Sequence, residues 1–202
     1  MTLANKITTA RLLLAGVLFV LFDLLGRGDP QQDWLLSTVC FFLFILVTST
    51  DALDGYYARK LGQVSDFGRI LDPAADKVII CGSFVFLCAI DWGREFVPPW
   101  IVVTIVAREF VVTALRGFME SKGREFGADP AGKLKMIVQC IAVPAVLLTH
   151  IHEVLAGDEG SGLKTFLRWF ALVAVWTTLV LTFYSGVRYI RKSWVHLRAL
   201  GI

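Results

Sequence analysis

Apolar residues in this chain arrive in long blocks, separated by short polar stretches that carry Gly, Pro and Asp. The blocks cover approximately 7–26, 34–58, 71–91, 97–120, 132–155 and 163–190. A helix needs roughly 20 residues to cross the hydrocarbon layer of a bilayer. The pattern therefore predicts an all-α polytopic membrane protein with six transmembrane helices in one bundle, a single domain over residues 1–202. The separators hold turn chemistry: Arg27 to Asp33, Asp91-Trp92-Gly93, Pro98-Pro99, Gly123 to Gly132 and Gly157 to Gly162. Asp129 suits a helix N-cap and Pro130 the first turn behind it. Lys6 and Arg11 precede the first apolar run, but no small-residue cleavage site follows, so that run reads as a retained span.

Composition supports the pattern. Of 202 residues, 56% are apolar or aromatic and 18% are charged, against about 45–50% and about 25% in a soluble domain. That balance excludes an ordinary cytosolic globule, a disordered tail and a disulfide scaffold. Cys40, Cys81, Cys88 and Cys140 lie in apolar runs without C-x-x-C spacing and read as reduced, small apolar residues. His150 and His152 form an H-x-H with Glu153 beside it, and read as interfacial polar residues rather than metal ligands.

Charge then orients the bundle. An even number of spans puts both termini on one side. Placing them in the cytoplasm leaves Arg27, Arg94, Lys164 and Arg168 outside and Arg108 mid-span, with all other Lys and Arg at the inner edge. That is a strong positive-inside bias. Trp34, Trp92, Trp100 and Trp169 fall near the outer ends, as an aromatic belt would. The net charge of +3 is thus a matter of topology and anionic lipid contact. It gives no argument for nucleic acid, which wants a soluble basic face with stacking aromatics.

The chemistry lies in the stretch from Asp51 to Lys77, DALDGYYARKLGQVSDFGRILDPAADK. Asp51 and Asp54 are i, i+3 at the inner end of span two; Asp72 and Asp76 are i, i+4 at the start of span three. A short loop makes the two helices antiparallel neighbours, so the two acidic faces can converge. Four carboxylates at one membrane edge are costly unless cations sit among them. Hard oxygen donors without Cys or His nearby favour Mg²⁺, Mn²⁺ or Ca²⁺ over zinc. Four are enough for two metals, the arrangement that clamps attacking and leaving oxygens in phosphoryl-type displacement. The competing reading is a set of solvated carboxylates paired with Arg59, Lys60, Arg69 and Lys77. It does not explain the small residues Gly55, Ala58 and Gly68, which would let a bulky ligand approach the backbone.

The spacing D-x2-D-G-x2-A-R-x8-G-x3-D-x3-D is filled at every place by Asp51, Asp54, Gly55, Ala58, Arg59, Gly68, Asp72 and Asp76. It resembles the signature of the CDP-alcohol phosphotransferase family. The resemblance implies a six-helix membrane bundle, usually homodimeric, that displaces CMP from a CDP-linked donor by an alcohol. By position, Asp51, Asp54 and Asp72 resemble metal ligands, and Asp76 the general base that also touches metal. Gly55, Ala58, Arg59 and Gly68 resemble the CDP-binding set. The donor so implied is CDP-diacylglycerol, and the implied cofactor is Mg²⁺ or Mn²⁺, as two ions.

The acceptor is read from the second half of the chain. Glu109, Thr113 and Arg116 share one helix face, and the Arg108-Glu109 pair at mid-span must face protein or a wet cavity. Lys133 and Lys135 follow Pro130 near a helix N-terminus, which itself favours anions. Arg108, Arg116, Lys133 and Lys135 together predict a second anion site for an acceptor with its own phosphate. A structural ion pair and plain positive-inside anchors are the competing readings. The blocks AREFVVTALRGFMESKG and GKLKMIVQ, with Asn5-x-x-Thr8-x-x-Arg11, resemble the branch of the family that forms phosphatidylglycerophosphate. The implied acceptor is sn-glycerol 3-phosphate and the implied location a bacterial inner membrane, active site facing the cytoplasm. An inositol phosphate acceptor would also want basic residues. An ion-coupled transporter would place charges in the membrane too, but usually with an internal repeat and broken helices. A pure assembly protein would leave the four aspartates unexplained.

Overall fold

The structure is a computed structural model. It describes residues 3–25, 27, 30–61, 66–123, 130–157 and 162–199, with the side chains of 3–7, 30–32, 51–61, 66–72 and 199 outside that description. Every regular element among the described residues is helical: α1 Leu3–Leu24, α2 Pro30–Leu61, α3 Asp66–Ala89, α4 Asp91–Phe96, α5 Pro99–Ser121, α6 Pro130–Ala156 and α7 Gly162–Ala199. The six long helices overlie the six expected apolar blocks. Three of them, over Asp33–Thr50, Pro130–Ala156 and Gly162–Arg198, are long and apolar enough to cross a membrane.

Boundaries differ from the expected spans for a physical reason. An apolar block ends where the bilayer would end, whereas a helix ends where its backbone is capped. Thus α2 continues to Leu61 and α7 to Ala199, through polar sequence. Asp91-Trp92-Gly93, expected as a turn, opens the six-residue helix α4 instead. Pro130 does begin α6; Asp129, its expected cap, lies outside the described residues. Gly123 (φ +72°) and Gly157 (φ +61°) follow α5 and α6 in the left-handed conformation that glycine takes without a Cβ penalty. Beyond α5, the Gly123 N–H donates to the carbonyl of Glu120 at 2.9 Å.

Packing follows the 3.6-residue period. On α1, Thr8, Arg11, Ala15, Leu18, Phe22 and Leu25 are buried along one stripe, while Leu13, Val17, Val20 and Leu24 point outward. That stripe meets α2 and α3, where Phe44, Val47, Ile79, Phe84 and Leu87 are fully enclosed. Phe19 of α1 stacks on Phe86 of α3 with ring centroids 5.3 Å apart. The buried face of α7 is built from small residues, Ala171, Ala174, Thr178, Thr182, Ser185 and Gly186, which let it lie close to α6 and α5. Large apolar side chains such as Phe110, Trp169, Val180 and Phe183 cover the outside, a surface suited to lipid rather than water. Cys40 is buried, and Cys81, Cys88 and Cys140 are half-buried; all four are free thiols.

Candidate active site

Alternating helix directions gather two polar clusters, at opposite ends of the bundle. At the end where α2 finishes and α3 begins, a cavity of about 240 Å³ opens between α3, α5 and α6, with Tyr189 of α7 on its wall. Asp76 and Lys77 reach it from α3; Arg108, Glu109, Thr113 and Arg116 from α5; Gly132, Lys133, Lys135 and Gln139 from α6. The face expected on α5 at Glu109, Thr113 and Arg116 therefore lines one wall. All four bases expected to hold an acceptor phosphate lie in the same cavity as the aspartate expected to be the general base. Among the described residues the lining carries five bases against the carboxylates of Asp76 and Glu109, and such a set of bases favours an anionic ligand.

The bases fall into two sets. Arg108 and Lys135 are engaged: Arg108 donates from Nη1 to Glu109 Oε1 at 3.0 Å and from Nη2 to Ser185 Oγ at 3.0 Å. Buried Lys135 also donates to Glu109 Oε1. The ion-pair reading of Arg108-Glu109 and its cavity reading thus hold together. Arg116 and Lys133 are exposed, and among the described residues neither has a carboxylate partner. The Arg116 guanidinium lies 6.0 Å from the Tyr189 ring centroid, which turns it along the cavity wall.

Asp76 is held from a helix that the motif does not include. Arg11 of α1, its side chain 2% exposed, donates from Nη2 to Asp76 Oδ1 at 2.7 Å and from Nε to the Val47 carbonyl of α2 at 3.2 Å. One guanidinium therefore ties α1, α2 and α3 together beside the cavity. The sequence signal for Arg11 was a base on an otherwise apolar helix face, three residues after Thr8, which in a membrane requires an anion nearby. Its partner stands 65 residues away, so spacing could not name it.

The helical backbone carries positions 51 and 54 one turn apart near the end of α2, and 72 and 76 one turn apart early in α3. The side chains of Asp51, Asp54, Gly55, Ala58, Arg59, Gly68 and Asp72 lie outside the described residues. Among the described residues no three His, Cys, Asp or Glu side chains converge as a metal site. The donor chemistry of the four aspartates suits a hard divalent cation, and Asp76, a quarter exposed and open to the cavity, fits that set.

The second polar cluster, at the other end, is of a different kind. Arg168 donates to Glu153 and to Glu95, each at 2.9 Å, with its guanidinium 5.4 Å from the Phe96 ring centroid. His150 lies flat on Trp92, centroids 3.9 Å apart.

The sequence profile described as CDP-alcohol phosphatidyltransferase matches residues 1–184 of this chain. The chain belongs to the CDP-alcohol phosphatidyltransferase family. It is accordingly an enzyme, a phosphatidyltransferase, and the transporter and assembly-protein alternatives fall with that assignment. A relative from Bacillus subtilis (strain 168), named CDP-diacylglycerol–glycerol-3-phosphate 3-phosphatidyltransferase, is 36% identical, covering 97% of each chain. Proteins of the same name from Cereibacter sphaeroides and Rickettsia typhi are 29% and 30% identical, over 98% and 94% of this chain and 97% and 95% of their own. The cavity described above brings Asp76 and the four bases together on its walls.

Proposed function

We propose that this phosphatidyltransferase transfers the phosphatidyl group of CDP-diacylglycerol to sn-glycerol 3-phosphate, giving phosphatidylglycerophosphate and CMP. The near full-length relatives carry that name. The cavity supports the acceptor, because Arg116 and Lys133 sit in it without carboxylate partners among the described residues, beside Asp76. An acceptor that brings its own phosphate has a use for both bases; an uncharged alcohol has none.

In the reaction, the primary hydroxyl oxygen of the acceptor attacks the phosphorus that bears diacylglycerol. A P–O bond forms to that oxygen, the bond to the CMP oxygen breaks, and the hydroxyl proton passes to the Asp76 carboxylate. Arg11 keeps that carboxylate aimed by occupying Oδ1, and a carboxylate is an adequate base for an alcohol already acidified by its surroundings. Arg59, Gly55, Ala58 and Gly68 of the signature bind the cytidine diphosphate portion. Arg116 and Lys133 hold the acceptor phosphate, while Arg108 and Lys135, tied to Glu109, shape the wall behind it. Most of the rate gain then comes from alignment and charge stabilisation.

Asp51, Asp54, Asp72 and Asp76 would hold divalent cation, Mg²⁺ or Mn²⁺, as two ions, whose charge when bound offsets the pyrophosphate and lowers the hydroxyl pKa. The bundle crosses the membrane six times with both termini and the cavity on the cytoplasmic side of a bacterial inner membrane, and works as a homodimer. The positive-inside distribution supports that orientation.

Purified protein in mixed micelles with CDP-diacylglycerol, Mg²⁺ and candidate alcohols tests the proposal. CMP release should require glycerol 3-phosphate and vanish in Asp76→Asn. Release driven by an inositol phosphate or serine instead would reject the acceptor.

A further inference from the structure

A carboxylate is an odd tenant for a cavity that takes a phosphate dianion, since it repels the ligand. Glu109 is nonetheless there, with its side chain 12% exposed. It offsets part of the charge of Arg108 and Lys135, yet both meet the same oxygen, Oε1. Among the described residues Oε2 accepts no hydrogen bond. An ionised carboxylate offers about four lone-pair sites, and half-buried acceptors are normally satisfied. Oε2 thus has capacity that the described residues do not use.

Glycerol 3-phosphate has three polar groups to place. Its phosphate goes to Arg116 and Lys133, and its primary hydroxyl must reach Asp76. The secondary hydroxyl, between them on the carbon chain, needs an acceptor of its own. Among the described residues, Asp76 and Glu109 are the acids that line the cavity. Glu109 stands on α5 one and two turns before Thr113 and Arg116, on the wall that carries one of the phosphate-binding bases.

We propose that Glu109 is a specificity-determining residue, whose Oε2 accepts a hydrogen bond from the acceptor's secondary hydroxyl. The inference rests on glycerol 3-phosphate being the acceptor. Its consequence is selectivity: an otherwise equal phosphate without that hydroxyl leaves the carboxylate unpaired and is rejected, as sites built to bond a hydroxyl reject analogues lacking it.

The test compares glycerol 3-phosphate with 3-hydroxypropyl phosphate, which keeps the attacking hydroxyl and the phosphate and lacks the secondary hydroxyl. In the wild-type enzyme kcat/KM should fall about tenfold or more on the change of substrate. In Glu109→Ala the ratio of the two values should collapse toward one, and Glu109→Gln, which retains a carbonyl oxygen, should restore part of it. A residue that served only to hold Arg108 and Lys135 would lower both substrates alike and leave the ratio intact, which would overturn the proposal. So would a wild-type enzyme that used both phosphates equally well, a result independent of whether any variant folds. If the wild type released no CMP with glycerol 3-phosphate, the acceptor assignment would fail first, and this inference with it.

Discussion

Arg11 offers the sharpest test of how the bundle sets up its base. Its guanidinium, 2% exposed, makes a 2.7 Å bond to Asp76 and a 3.2 Å bond to the Val47 carbonyl. Arg11→Met keeps the length and removes both. Removing one member of a buried pair costs about 3–5 kcal/mol. Asp76 is a quarter exposed to the cavity, so water recovers part of the loss and the lower end, about 3 kcal/mol, applies. Divided between folding and catalysis, that loss lowers Tm measurably and kcat by about tenfold to a hundredfold. The KM for glycerol 3-phosphate should change little, because Arg116 and Lys133 are untouched. Arg11→Lys keeps the charge but not the planar fork, and should recover activity only partly. Thermal unfolding in detergent and two-substrate CMP-release kinetics read both effects. An Arg11→Met enzyme with wild-type kcat and unchanged Tm would refute the reasoning.

Three further outcomes follow from the packing. A Cβ on Gly186 would sit 3.1 Å from Arg108 Cγ, displacing a side chain held by Glu109 and Ser185; Gly186→Ala should raise the glycerol 3-phosphate KM several-fold without altering that for CDP-diacylglycerol, measured by varying each substrate in turn. A Cβ on Gly93 would overlap the Leu87 backbone carbonyl, which cannot move like a side-chain tip. Gly93→Ala should therefore destabilise by about 1–3 kcal/mol, read as a lower Tm. Arg168→Ala removes the bonds to Glu95 and Glu153 at the opposite end, so Tm should drop slightly while kcat and both KM values stay at wild type.

The elements were legible in the chain to differing degrees, and the reasons are physical. Apolar blocks announce long helices because lipid and core exert the same demand on side chains, so the six long helices stand where the blocks do. The six residues of α4 escape this signal, being too few to show a period. The wall made by Glu109, Thr113 and Arg116 was readable because it lies on one helix, where spacing alone decides the face. The Glu109–Lys135 pair and the Arg11–Asp76 pair span 26 and 65 residues. They depend on which helices are neighbours, and no local pattern states that. The same limit hid the division of the four bases into a pair engaged by Glu109 and a pair without a carboxylate partner among the described residues. The aspartate signature identified a family, while the arrangement of its side chains at 51, 54 and 72 belongs to residues outside the described set.

Two-substrate kinetics of Arg116→Ala and Lys133→Ala test most directly that one cavity serves acceptor phosphate and base together. Each variant should raise the KM for glycerol 3-phosphate by about tenfold, the worth of one charge-assisted bond, with the KM for CDP-diacylglycerol near wild type. Equal increases for both substrates, or none for glycerol 3-phosphate, would place the acceptor phosphate elsewhere.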